Sequence, residues 1–159
     1  MSASLLLSRR DIEFMVYEWL EGESLTERER FAEHTRETFT AVLDVAEKLA
    51  AEQFYPINRI LDTQEPHFDG ETVHTPAALK PVLRAYLESG LLAAGFDHDV
   101  GGMQLPSVIQ RAASAWLSAA SVGAGLAGLT PANASTLLKH GTDFQRSVYV
   151  PRLLEGRYF

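Results

Sequence analysis

Three stretches of this chain carry residue types at spacings that could do chemistry. Residues 123–128 read GAGLAG, the G-x-G-x-x-G spacing of a loop that cradles a dinucleotide pyrophosphate at a helix N-terminus. His67, Asp69, Glu71 and His74 put four potential zinc ligands in one short segment around Gly70,. Asp97 and Asp99 flank His98 just before the pair Gly101-Gly102, an acid/base grouping on paper.

Each stretch has to be weighed against the elements that would position it. A pyrophosphate loop needs a strand ending at its first glycine and a helix starting at its last, inside a βαβ unit. The residues before Gly123 have a helical pattern and no parallel sheet is legible in the chain, so the small residues read as room for a close neighbour. A zinc site would need the Gly70 turn to bring four side chains together, and an exposed turn offers no surrounding shell to orient them. A solvated hairpin without metal is therefore expected. Asp97 and Asp99 read first as loop formers, because Asp bonds its own backbone in turns. His34, His98 and His140 are scattered and suggest surface or capping roles. G-x-S-x-G and Walker loops are absent, and no complete catalytic constellation emerges.

The supporting elements follow from periodicity. Ser8 and Asp11 have capping-box spacing, with Ile12, Met15, Val16, Trp19 and Leu20 recurring behind them, which predicts a short helix ending near Gly22,. Thr26 and Glu29 repeat the signal, and Phe31, Thr35, Phe39, Val42, Ala46 and Leu49 predict a long helix, kinked or restarted at Pro56,. A hairpin or loop is expected at about 66–75, around Asp69-Gly70. A helix follows from Pro76 to about Ser89, stopped by Gly90, with Leu79, Val82, Leu83, Tyr86 and Leu87 facing inward.

GFDHDVGGMQLP reads as a structured loop. From Pro106 to Leu129 the chain is small and apolar, with almost no charge after Arg111, which predicts one buried helix,. Helices at 132–140 and 143–155 are expected last, with Gly141 as C-cap and Pro151 dividing the second. The class is all-α: a mostly antiparallel bundle of six to seven helices.

Bulk properties narrow the function. The 159 residues suffice for one domain, 46% of them apolar,. The formal charge of -7 and the lack of a basic stripe argue against nucleic acid as partner,. Without cysteine there is no disulfide or thiolate site,. No apolar run reaches the roughly 20 residues of a membrane span, and the N-terminal apolar run is short for a signal peptide, so a cytoplasmic location is expected.

GFDHDVGGMQLP resembles the P-x-x-Y-G-G-x-G-L loop that precedes the central helix in the N-terminal domain of acyl-CoA dehydrogenases. LLKHGTDFQRSVYVPRLLEGRYF is similar to that family's H-G-x-x-x-Q-x-x-x-Y-L-P-x-L-x-x-G segment, and FYPINRILDTQEPHFDGETVHTPAALKPVLRAYLESGLLA to its kinked helix, hairpin and next helix. The resemblance is strongest to the branch of methylthiopropionyl-CoA dehydrogenases. Val100 and Gln104 depart from the motif, where the family usually has an aromatic residue and often a glycine.

The resemblance implies that residues 1–159 are the first part of a three-part enzyme, with the middle β-domain, the C-terminal bundle and the proton-abstracting glutamate outside this chain. It implies FAD as cofactor, mostly contacted from outside this chain, acyl-CoA as substrate and an electron-transfer partner. It also implies homo-oligomerisation of the complete enzyme and no turnover by this chain alone. Gly125, Leu126, Gly128, Leu129, Thr130 and Asn133 correspond to the segment lining the deep end of the acyl-chain cavity, and are the substrate-binding candidates.

Overall fold

The computed structural model describes residues 6–125 and 129–158. Eight α-helical segments and one small hairpin make up its regular structure among these residues. The mostly-α class is as the sequence predicts.

Helix α1, Arg9–Glu13, starts at Ser8, whose side chain accepts from the Asp11 amide. It widens into a π-helical turn over Phe14–Trp19. Ile12 and Val16 are buried. Arg9 ties this segment to the next helix, pairing with Glu13 at 2.8 Å, Asp44 at 2.7 Å and Glu47 at 3.1 Å.

The long helix begins later than the expected Thr26 signal. Residues 22–31 form 3-10 turns, and the Thr26 hydroxyl donates back to the Glu23 carbonyl at 2.8 Å instead of capping a helix. The cap in use is Thr35, in a reciprocal capping box with Thr38, and α2 runs Arg36–Leu49. Packing explains the shift: the first fully buried residue of the stripe is Phe39, followed by Leu43, Ala46 and Leu49, while Thr35 is exposed.

A π-helical turn over Ala50–Phe54 joins α2 to α3, Tyr55–Thr63. The Pro56 ring would press on the carbonyl four residues back, and the wider winding before it accommodates that without ending the helix.

The hairpin pairs β1, His67–Phe68, with β2, Val73–His74, in antiparallel register His67 to His74. α4 spans Leu79–Glu88, three residues past Pro76, which instead accepts a turn bond from the Leu79 amide. Val82 and Tyr86 are its buried residues, and Gly90 stops it at a left-handed φ of 75°.

α5, Ser107–Ala120, is the central helix, burying Ile109, Ala113, Trp116, Leu117 and Ala120. It does not continue through the glycines as expected. Ser121 turns extended (φ -162°, ψ 109°), and a single turn, α6 at Val122–Gly125, follows, its Ala124 amide 3.5 Å from the Ser121 hydroxyl.

α7, Thr130–His140, and α8, Asp143–Leu154, pack together around Ala134, Val150 and Leu153. Their short connection makes them antiparallel neighbours. Gly141 does follow α7, but with extended geometry (φ -73°, ψ 157°) and not as a left-handed cap. Pro151 does not divide α8, because burial of Val150 and Leu153 keeps the last turn helical on either side of it. The main core joins α1 through α6, with Phe39, Phe54 and Trp116 among its largest fully buried side chains. No helix among the described residues is long and apolar enough to cross a membrane.

Candidate functional site

The glycine-pair loop is held by its own backbone. Between α4 and α5 the Met103 and Leu105 amides both donate to the Ala94 carbonyl, at 3.2 and 2.8 Å, and Gln104 donates to Phe96 at 2.8 Å. Gly102 lies so close to the Phe96 backbone that any Cβ would collide with it. Gly101 adopts φ 86°, the left-handed region that glycine enters without strain,.

The Asp97-His98-Asp99 trio serves this loop and forms no acid/base unit. Asp97 pairs with Arg30, and His98 contacts the Gly102 carbonyl at 3.1 Å and Glu33 at 3.3 Å.

The hairpin set is likewise engaged with itself. Asp69 Oδ1 accepts the Glu71 and Thr72 amides at 2.9 and 2.8 Å, and Oδ2 meets His74 Nε2 at 2.6 Å. These bonds, the His74 contact foremost, hold the Asp69 carboxyl down to about 2,. Among the described residues no three His, Asp or Glu side chains converge in a way that could hold a metal ion.

Of the GAGLAG segment, Gly123, Ala124 and Gly125 belong to α6, and its last three residues lie outside the described residues. α6 packs on α3 and α5, with Ala124 buried. No strand leads into it, so the geometry of a pyrophosphate cradle is not met,.

Of the six substrate-binding candidates, Leu126 and Gly128 lie outside the described residues. Gly125 closes α6. Thr130, at the first position of α7, is buried. Asn133 is exposed and lines none of the hollows described here. Leu129 is 66% exposed, and its side chain borders a hollow of about 180 Å³ shared with Phe54, Tyr86, Arg111, Ser114, Leu117 and Ser118. Leu129 therefore stands beside α5, Thr130 is buried at the start of α7, and Asn133 is exposed.

Next to it is a larger groove of about 310 Å³, into which Ser107, Gln110, Arg111 and Ser114 of α5, Tyr86 of α4, and Pro131, Ala132 and Ser135 of α7 project. Tyr86 lines both hollows, its ring edge-on to Phe54 at 6.0 Å, and burial pushes its phenol up from the ordinary value,. The sequence reading missed this groove. Its signal was a polar line on an apolar helix: Ser107, Arg111, Ser114 and Ser118 recur at helical spacing opposite the buried face,.

An all-α module whose central helix turns Arg111, Ser114 and Ser107 toward two hollows defines a helical pocket-forming class,. The model of the acyl-CoA dehydrogenase N-terminal domain matches residues 36–157, and the chain belongs to that family. It is also similar to the 3-methylmercaptopropionyl-CoA dehydrogenase of Ruegeria pomeroyi, with 26% identity over 153 residues. That alignment covers 94% of this chain and 26% of the relative, so the chain spans about a quarter of the relative's length.

Proposed function

We propose that residues 1–159 serve as the N-terminal helical part of a flavin-dependent acyl-CoA dehydrogenase, and that the α6–α7 corner contributes a wall of the acyl-chain pocket. The observation that carries the reading is the match of the family's N-terminal domain across residues 36–157. The exposure of Leu129 at the corner supports it, since a large apolar side chain is left uncovered where the family lines its cavity,.

The reaction is α,β-dehydrogenation of an acyl-CoA thioester, in which FAD would accept the hydride. Among the described residues no strand leads into Gly123, so none of them fits a flavin pyrophosphate loop. The chain's part is steric, shaping the space that an acyl chain fills. Cytoplasmic location, FAD, an electron-transfer partner and homo-oligomerisation belong to the same proposal.

The test is made in a holoenzyme that carries this chain. Leu129→Trp is expected to shift preference toward shorter acyl chains by reducing kcat/KM for long substrates at least tenfold, with FAD content unchanged. Equal loss for all chain lengths would remove the corner from the pocket. Turnover of acyl-CoA by the isolated 159-residue chain would overturn the reading of it as a non-catalytic part.

One observation favours a second reading, a helical docking module. Phe14, Met15 and Trp19 of the π-helical segment and Leu20 just after it are exposed, and Val122 and Phe144 are exposed elsewhere,. A chain that stays monodisperse and monomeric in gel filtration and has no affinity for a flavin domain would count against docking.

A further inference from the structure

Among the described residues, 129–158 meet the rest of the molecule through packing alone. The side-chain hydrogen bonds of α7 and α8 close within the pair: Thr136 donates to the Ala132 carbonyl at 3.0 Å, Arg146 Nε to the Gly141 carbonyl at 2.9 Å and Arg152 to the Tyr158 hydroxyl at 2.8 Å. The Asp143–Arg146 and Glu155–Arg157 ion pairs and the Phe144–Tyr149 ring contact stay inside it as well. No hydrogen bond, ion pair or ring contact among the described residues reaches from this helical hairpin to residues 6–125. Residues 6–125 are by contrast tied across their own elements, Arg9 of α1 reaching Asp44 and Glu47 of α2 and His34 reaching the Met103 carbonyl.

The apolar packing divides at the same place. α7 and α8 share a core of their own, with Ala134, Val150 and Leu153 buried, and among the described residues Phe96 is the one hydrophobic side chain from outside the hairpin that packs against it. The ring of Phe96 takes no part in the main core. Such a small buried set removes little apolar area from water, so opening the hairpin costs less than opening the main core. Two hollows lie where side chains would otherwise interlock the parts. The groove beside α5 has Pro131, Ala132 and Ser135 on its hairpin wall, and a second hollow of about 330 Å³ has Asp99 and Val100 on one side and Leu138, Val150 and Pro151 on the other.

α7 and α8 have 11 and 12 residues, a length at which isolated helices are marginal in water. Once undocked they lose their backbone bonds together. We infer that the α7–α8 hairpin is a flap that opens from the body as one cooperative unit, latched by Phe96, and that its opening parts the walls of both hollows. The inference goes beyond the dehydrogenase reading and requires neither flavin nor thioester.

The test is hydrogen exchange of the 159-residue chain, read amide by amide by NMR. Amides of α7 and α8, Ala134 and Val150 among them, should share one protection factor, at least about tenfold below those of Leu43 in α2 and Trp116 in α5. Phe96→Ala should speed exchange throughout α7 and α8 by about tenfold or more and leave α2 and α5 unchanged, because the lost ring packs on the hairpin's core alone,. Should Phe96→Ala disturb the loop that follows it, Val150→Ala supplies the second variant: it weakens the unit from inside, so α7 should respond as strongly as α8. The proposal is overturned by equal protection in hairpin and body, whether high or low, or by wild-type hairpin exchange in Phe96→Ala. A rise in Phe96→Ala that extends equally to α2 and α5 overturns it too, as does a response to Val150→Ala confined to α8. Because no turnover is measured, its failure leaves the dehydrogenase reading standing, and the converse also holds.

Discussion

His34 Nε2 donates to the Met103 carbonyl oxygen at 2.8 Å, joining the 3-10 segment before α2 to the glycine-pair loop before α5. The imidazole also lies 5.5 Å from the Phe39 ring, centroid to centroid, at the start of the buried stripe of α2. This pair fixes the tautomer, since a carbonyl can only accept. It also makes a histidine that looked scattered in the sequence a tie between two distant segments.

His34→Ala should therefore destabilise the chain by about 1–2 kcal/mol, the cost of a half-buried carbonyl losing its donor. Urea unfolding followed by circular dichroism measures it. Faster amide exchange confined to residues near Met103 should accompany the loss; a wild-type midpoint would show that the tie is unimportant.

Asp69 governs the pH response of the hairpin. Its folded value of about 2 lies below the ordinary 3.8, so the bonds to His74, Thr72 and Glu71 favour folding while the carboxyl is ionised. That contribution is complete above about pH 4 and is lost as pH falls through about 2, where the folded form takes up its proton. A carboxyl-carbon NMR titration should put Asp69 well below the other aspartates, and an ordinary midpoint there would refute the hydrogen-bond pattern.

Trp116 is fully buried in α5, and its indole N–H has no partner among the described residues. Replacement by Phe removes the unpaired donor together with part of the ring, so the two effects oppose each other. Trp116→Phe should stay within about 1.5 kcal/mol of wild type, whereas Trp116→Ala should cost about 3–5 kcal/mol. Equal losses in thermal or chemical unfolding would mean that the unpaired N–H carries no penalty.

Gly123, the first residue of GAGLAG, tests what the motif is for. A Cβ there would meet Leu61 at 3.6 and 3.7 Å, ordinary van der Waals contact. Gly123→Ala should be neutral or stabilise by up to about 1 kcal/mol, because Ala loses less backbone entropy in a helix. A large destabilisation would show that the contact between α3 and α6 is tighter than these distances imply.

Ser8, the Pro56 region, Gly90, and the loop around Gly101 and Gly102 were legible because each is a local event: a cap, a missing donor, a left-handed φ or a close backbone approach. The glycine-pair loop and the H-G-x-x-x-Q segment also carried the resemblance to the family, which the match over residues 36–157 bears out. Three other features were settled by packing. α2 starts at Thr35 because Phe39 is where its stripe first finds a core, α8 runs through Pro151 because Val150 and Leu153 are buried on either side, and α5 ends at Ser121. The groove was hidden for the same reason. Arg111, Tyr86 and Ser135 belong to three helices far apart in the chain, and periodicity shows which face of a helix is polar but not which other helix that face will meet. The sequence by itself determined an all-α chain, because apolar period, caps and turn glycines act over a few residues, and its motifs resembled those of the family. Only the tertiary structure decided that an unpaired cation and a buried phenol share one hollow, because long-range packing of α4, α5 and α7 brings them together.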